Sequence, residues 1–117
     1  MRHRNATKIL SRKSHARKAL LRSLLTSFAL HGRMTTSKAK AKTVQPQLER
    51  LITAARKGTL AGRRYVQKTL YTEKAVKAMV ETVAPKVKGQ SGGYTRIVKI
   101  GRRKGDGADV VRLELTA

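Results

Sequence analysis

The stretch "SGGYTRIVKIGRRKGDGADVVRLEL" at residues 91–115 decides how the C-terminal part of this chain folds. Residues 94–100 and 110–115 are rich in β-branched side chains, and apolar and polar residues alternate in the second run. The loop between them contains three glycines and the consecutive cations of residues 102–104. Two strands joined by such a loop are most simply an antiparallel hairpin, so the sequence predicts a hairpin whose tip projects cations.

The segment before the hairpin has the periodicity of two long helices with a short strand between them. The first helix begins with Ser14 at its N-cap, buries a stripe of leucines and stops at Gly32. The β-prone run "RMTTS" at residues 33–37 is a candidate edge strand. The second helix covers residues 38–57, and we expect a kink at Pro46, where one backbone donor is missing.

Two shorter helices complete the predicted fold. They cover about residues 60–70 and 73–84, with Thr72 capping the second and Pro85 ending it. Helices on one face of the hairpin, with the "RMTTS" strand beside it, give a two-layer α+β architecture. The prediction is therefore about four helices packed on a small three-stranded mixed sheet.

The chain length of 117 residues suits one domain, which we place at residues 13–117. Residues 1–12 are basic and offer only Ile9 and Leu10 as apolar anchors. Such a segment buries too little apolar surface to offset its chain entropy. We expect an extended basic arm there.

Charge points to a polyanionic partner. The chain has 28 Lys plus Arg against 6 Asp plus Glu, a net charge of +22, and no acidic residue before Glu49. A domain this basic carries the electrostatic footprint of a nucleic-acid-binding protein. A mitochondrial transit peptide has a similar composition, but here the acid-free stretch continues through Lys42 into segments that look folded.

Composition argues against several other classes. The chain has no cysteine, and its six acids are scattered without a Ser-His-acid constellation, so we predict neither an enzyme nor a metal or cofactor site. The longest apolar segment, residues 19–30, is interrupted by Arg22 and is too short to cross a bilayer. No small-molecule substrate or membrane partner is expected.

Two alternatives share the charge of this chain. A DNA-binding architectural protein would use the short helices of residues 60–84, although they lack the Asn, Gln and Arg cluster that reads the major groove. A cationic membrane-surface domain would use the first helix, although there is no Trp and the apolar stripe is needed for the core.

Motifs along the whole chain carry a family resemblance. They are "MRHR" at the start, Leu10 to Ser14, Lys18-Ala19 to Arg22, "LIT" at 51–53, Arg63-Arg64, Ala84-Pro85 and "GGYTRIVK-x-G-x-R-x-GD" at 92–106. With these motifs the chain resembles the bacterial large-subunit ribosomal protein family numbered seventeen. The resemblance implies a structural constituent of the large ribosomal subunit that binds its rRNA near the nascent-chain exit. It also implies neighbouring ribosomal proteins as partners and a place in cytoplasmic ribosomes, or in those of an organelle.

The candidate RNA-binding residues lie in the arm, in the helices and in the hairpin. Most are cations suited to phosphate, whereas Tyr94, like Tyr65 and Tyr71, has a ring that can stack on a base or pack in the core. The candidates are Arg2, His3, Arg4, Lys8, Arg12, Lys13, Arg17, Lys18, Arg22, Lys38, Lys40, Arg63, Arg64, Tyr94, Arg96, Lys99, Arg102, Arg103 and Lys104.

Overall fold

Helices and strands follow one another in the order that the sequence predicts. The computed structural model describes His3 and residues 8–116. Its elements are α1 (Ser14–His31), β1 (Arg33–Ser37), α2 (Lys38–Arg56), α3 (Leu60–Thr69), α4 (Glu73–Ala78), a π-helical turn (Met79–Val83), α5 (Ala84–Lys86), β2 (Thr95–Arg102) and β3 (Asp109–Leu115). The two-layer α+β prediction and the C-terminal hairpin are confirmed.

The sheet has the strand order β1-β3-β2, with β1 and β2 each antiparallel to β3. The prediction of a mixed sheet is therefore wrong. The hairpin turn reverses β2 into β3, and β1 pairs antiparallel along the other edge of β3. Met34 and Ile97 both lie opposite Leu113. Val111 and Leu113 are buried, which confirms the predicted alternation of β3.

The first helix ends where the sequence predicts but begins differently. Gly32 has a φ of 74° and its N–H donates to the Phe28 carbonyl, an αL helix end that favours glycine. At the other end Lys13 occupies the N-cap position, and Ser14 is already helical. The prediction of Ser14 as the cap was wrong, because its side chain accepts no bond from the first turn.

Pro46 lies inside α2 without ending it, whereas Pro85 does not end the last helix as predicted. The chain widens into a π turn, in which the N–H of Ala84 donates to the carbonyl of Met79, five residues back. A proline ring crowds the preceding helical turn and brings no N–H of its own. The wider turn directly before Pro85 lets the helical path continue to Lys86.

Side chains of all the helices and of the sheet form the core, and one carboxylate fastens the hairpin to α2. Glu49 Oε2 accepts from the Tyr94 N–H at 3.2 Å, and Oε1 accepts from the Thr95 N–H at 3.0 Å and its hydroxyl at 2.6 Å. Charged acceptors make stronger hydrogen bonds than neutral ones. Glu49 therefore fixes where β2 begins. The largest fully buried side chains include Tyr94, Phe28, Leu25, Leu48, Leu51 and Leu113.

The described end of the arm is anchored rather than fully extended. Leu10 packs against the core, and residues 10–12 form a turn in which Leu10 and Ser11 have φ values of 55° and 56°. The N–H of Arg12 donates to the Ile9 carbonyl at 3.3 Å. The prediction of an extended arm through residue 12 is thus wrong for residues 10–12, because burying Leu10 requires the chain to turn.

Candidate nucleic-acid interface

The hairpin loop is closed by its own hydrogen bonds. The N–H of Arg103 donates to the Ala108 carbonyl at 2.9 Å, and the N–H of Gly107 donates to the Arg103 carbonyl at 3.0 Å. Gly105 and Gly107 have φ values of 100° and 66°, which favour glycine at both positions. Because β2 runs to Arg102 and β3 begins at Asp109, the loop is shorter than predicted.

Arg103 and Asp106 form an ion pair that shapes this loop. Arg103 donates through Nε to Asp106 Oδ1 at 3.1 Å and through Nη2 to Oδ2. Asp106 Oδ1 also accepts from the Ala108 N–H at 3.2 Å. The hydrogen bond from Arg103, followed by that from Ala108, lowers the pKa of Asp106 to about 2. Asp106 is therefore ionised throughout the physiological pH range.

The hairpin tip is consequently less cationic than the sequence predicts. Besides the Arg103 pair, Arg102 Nε lies 3.8 Å from Asp109 Oδ1. Within the described part of the chain, Lys104 is the cation of the tip for which we find no acidic partner. Arg103 primarily holds the loop, and Lys104 is the tip residue most available to an external anion.

The outer face of the sheet carries a second set of paired charges. Arg96 Nε donates to Glu114 Oε1 at 2.9 Å, and Arg112 Nε lies 3.1 Å from Glu114 Oε2. The hydrogen bond from Arg96 is the main cause that lowers the pKa of Glu114, and the charge of Arg112 adds to it. This cross-strand group joins β2 to β3. Lys99, which also lies on β2, is exposed.

The basic side of α1 is oriented by contacts with other parts of the chain. The guanidinium of Arg22 lies 5.2 Å from the ring centroid of Tyr71, and its Nη2 donates to the Lys68 carbonyl at 3.4 Å. Arg17 Nη1 donates to the Arg12 carbonyl at 3.4 Å. In the part of the chain that the structure describes, neither cation has an acidic neighbour within salt-bridge distance.

The start of α2 meets the hairpin loop in space. Lys40 and Arg103 line one cleft of about 520 Å³ together with Thr36, Ser37 and the chain near Ala108. The first turn of α2 contains no acidic residue, although acids are favoured at that end of a helix. The sequence predicted Lys40 and Arg103 as separate contacts, and only the tertiary structure brings them together.

Exposure separates the candidates that the structure describes. Arg17, Arg22 and Lys40 are partly buried, and Arg2 and Arg4 lie outside the described residues. The exposed candidates are His3, Lys8, Arg12, Lys13, Lys18, Lys38, Arg63, Arg64, Arg96, Lys99, Arg102, Arg103 and Lys104.

Tyr94 is not available to RNA, contrary to its place among the candidates. The residue is 1% exposed, its hydroxyl lies 3.3 Å from the Thr53 hydroxyl, and the Arg56 guanidinium lies 5.6 Å from its ring centroid. The ring packs in the core directly after Gly93, which has a φ of 62°.

The candidate RNA-binding residues did not include three that line an apolar pocket next to Tyr94. Arg50, Lys57 and Tyr65 line it. Tyr65 stands on the exposed side of α3, and helical periodicity was the one signal in the sequence for its exposure. Arg50 lies on α2, and Lys57 is its C-cap residue about two helical turns later.

The described part of the chain has neither a membrane-spanning helix nor a cluster of metal ligands. Within residues 8–116, no helix combines the length and apolar character needed to cross a bilayer. Across the part of the chain that the structure describes, we find no group of three His, Asp or Glu side chains close enough to hold a metal ion.

Comparison with known proteins agrees with these features. The family model described as "Ribosomal protein L17" matches residues 20–116. Proteins named large ribosomal subunit protein bL17 are similar over nearly the whole chain. The one from Thermomicrobium roseum is 48% identical over 117 residues, covering 100% of both chains. The one from Gemmatimonas aurantiaca is 47% identical over 115 residues, covering 98% of both. The one from Clostridium botulinum is 46% identical over 106 residues, covering 91% of this chain and 94% of the relative.

The family resemblance seen in the motifs is therefore confirmed, and it leaves an enzymatic role without support. The chain belongs to the L17 family of ribosomal proteins, structural components of the large ribosomal subunit.

Proposed function

We propose that this chain binds large-subunit rRNA by neutralising phosphates, and that it does so near the exit of the nascent-chain tunnel beside other ribosomal proteins. The rRNA partner is supported by the charge distribution, and the position near the tunnel exit is what the family resemblance implies. In a bacterium the site of action is the cytoplasmic ribosome.

The observation that carries the rRNA proposal is the separation of paired from unpaired cations. Among the described residues, every salt bridge involves an arginine of β2, β3 or their loop. Over the same described residues, the cations of α1, α2 and α3 have no acidic partner within salt-bridge distance. Glu49, the one acid of α2, is occupied by Tyr94 and Thr95. Most of the net charge of +22 therefore lies outside the hairpin, where it has no internal counter-charge, and it needs an external polyanion.

Structured RNA suits this surface better than duplex DNA. RNA of irregular shape is recognised through phosphates, 2′-hydroxyls and unpaired bases, whereas specific DNA readout needs polar side chains that enter the major groove. The exposed faces of α3 and α4 present cations rather than a cluster of Asn and Gln. The cleft between Lys40 and Arg103 is an additional place where a phosphate can approach.

The domain division is part of the same proposal. Residues 13–117 form the folded unit, and residues 1–12 form a basic arm that reaches into the RNA. Leu10 anchors the arm on the core at the point where it leaves the domain.

Salt dependence of binding tests the proposal. If about eight to ten phosphates are contacted, log K for deproteinised large-subunit rRNA falls with log salt at a slope of roughly −6 to −9. Duplex DNA and anionic vesicles, measured at the same salt concentration, are expected to bind more weakly. A slope shallower than about −3, or equal affinity for all three, would contradict rRNA binding as the function.

The position in the subunit needs a separate measurement. Electron cryomicroscopy of large subunits containing this chain is expected to show its density beside the tunnel exit. Density elsewhere on the subunit would overturn the position and leave the rRNA proposal standing.

A further inference from the structure

An open apolar pocket lies between the C-terminal half of α2, the start of α3 and the segment that enters β2. Its volume is about 610 Å³, within the range of ligand-binding pockets. Small residues of both helices, Ala54, Ala61 and Gly62, form part of its lining. Tyr65 stands at its side with 46% of its surface exposed.

The pocket is apolar because polar groups on its inner side are already satisfied within the chain. Thr53 donates its hydroxyl hydrogen bond toward the Glu49 carbonyl at 3.0 Å and lies 3.3 Å from the Tyr94 hydroxyl. Both carboxylate oxygens of Glu49 accept hydrogen bonds from Tyr94 and Thr95. The lining that remains open is therefore mainly apolar, and few of its polar groups are free to bind water.

Two cations flank this apolar surface. Arg50 and Lys57 are exposed and line the pocket, and neither has a salt-bridge partner among the described residues. Arg50 lies within α2 and Lys57 is its C-cap residue, seven positions later, which corresponds to about 10 Å along the helix axis. An apolar pocket lined by a tyrosine and by two separated cations matches a planar apolar group linked to negative charge on both sides.

We propose that this pocket receives one unstacked nucleobase of the bound RNA, which stacks against Tyr65 while its flanking phosphates contact Arg50 and Lys57. The inference rests on the proposed rRNA binding and names a site for it. Unpaired bases are commonly held on aromatic side chains in protein–RNA complexes. An apolar side chain of a neighbouring protein would fill the slot but would leave both cations unexplained.

The stacking and the phosphate contacts have different signatures in a salt titration. Loss of a stacked base weakens binding by about 5- to 160-fold at every salt concentration, because no counterion is released. Loss of a phosphate contact instead flattens the salt slope by roughly 0.7 to 0.9. Tyr65→Ala is therefore expected to lower the affinity for large-subunit rRNA with an unchanged slope, whereas Arg50→Gln or Lys57→Gln changes the slope.

Two matched variants sharpen this experiment. Tyr65→Phe keeps the ring and is expected to bind within about twofold of the parent, since stacking does not need the hydroxyl. Leu60→Ala removes an apolar side chain, 66% exposed on the same helix, that does not line the pocket, and is expected to bind like the parent. Parent-like binding by Tyr65→Ala, or equal loss in the Phe and Ala variants, would overturn the base site.

A direct probe does not depend on any variant folding correctly. With the ¹⁵N-labelled parent protein, adenosine monophosphate is expected to shift the amide resonances of residues 50–65 saturably, and inorganic phosphate is expected not to reproduce the shifts at residues 61–65. Identical shifts from both probes would overturn the proposal.

Failure of this inference is distinguishable from failure of the proposed function. If the parent shows a slope shallower than about −3, rRNA binding itself fails. If the parent slope is steep and Tyr65→Ala leaves the affinity unchanged, only the base pocket fails.

Discussion

Replacing Gly62 with alanine is expected to destabilise the fold although alanine is the better helix former. A Cβ at this position would lie 2.3 Å from the main-chain carbonyl oxygen of Ala54 and 3.2 Å from Thr59 Oγ1. Helix propensity favours alanine over glycine by about 1 kcal/mol. The carbonyl belongs to α2 and cannot rotate away, so α2 and α3 have to separate. Overpacking of this kind typically costs about 1 to 3 kcal/mol, and more where the backbone must move.

Because the backbone must move, the clash lies at the upper end of this range, and subtracting the propensity gain leaves a net loss of about 1 to 2 kcal/mol. For a chain of 117 residues this corresponds to a fall in Tm of roughly 4 to 8 °C. Thermal unfolding followed by circular dichroism measures the change. Gly89→Ala is the matched control, because nothing lies within 4 Å of its added Cβ and its Tm is expected to stay the same or rise slightly. A Tm for Gly62→Ala at or above that of the parent would refute the argument.

Three other outcomes follow from the hairpin loop and the arm. Arg103→Ala is expected to raise the pKa of Asp106 from about 2 toward its ordinary value of 3.8, measured by a carboxyl NMR titration; an unchanged midpoint would show that the backbone alone sets it. Because the folded-state pKa is depressed, the stabilisation from this pair is present above about pH 4 and is lost as the pH falls toward 2. Lys104→Ala should flatten the salt slope for rRNA by roughly 0.7 to 0.9 without changing Tm, and an unchanged slope would mean that the residue stays in solvent. Deletion of residues 1–12 should weaken RNA binding and, through the loss of Leu10, lower Tm slightly while keeping the helical circular-dichroism signal; collapse of that signal would place the arm in the core.

Local sequence patterns were sufficient for the elements but not for their pairing. The apolar stripe that ends at Gly32 and the alternation in residues 110–115 are each contained in a few consecutive residues, and both predictions held. The direction of β1 depends on which side of β3 it joins, a choice that no short window contains. The continuation through Pro85 likewise depends on a π turn, which hydrophobic periodicity does not reveal.

The candidate site shows the same division between local and tertiary information. The Arg103 pair with Asp106 spans three residues within a glycine-bounded loop, so the sequence held enough information to expect it. The burial of Tyr94 was an open alternative, because a ring after a glycine pair can turn inward or outward. The pocket beside Tyr65 requires the close approach at Gly62, which appears only when α2 and α3 are packed together.

The distribution of acids changes where most phosphate contacts are expected. From β2 through β3, residues 95–115, six cations are accompanied by three acids, whereas residues 1–48 contain twelve cations and no acid. All three of those acids contact arginines of the same hairpin. An arginine already paired with a carboxylate gains less from a phosphate, because one interaction replaces another. We therefore expect the hairpin to serve mainly as a rigid support, and the arm, α1 and the start of α2 to contribute most of the salt dependence of the proposed RNA binding.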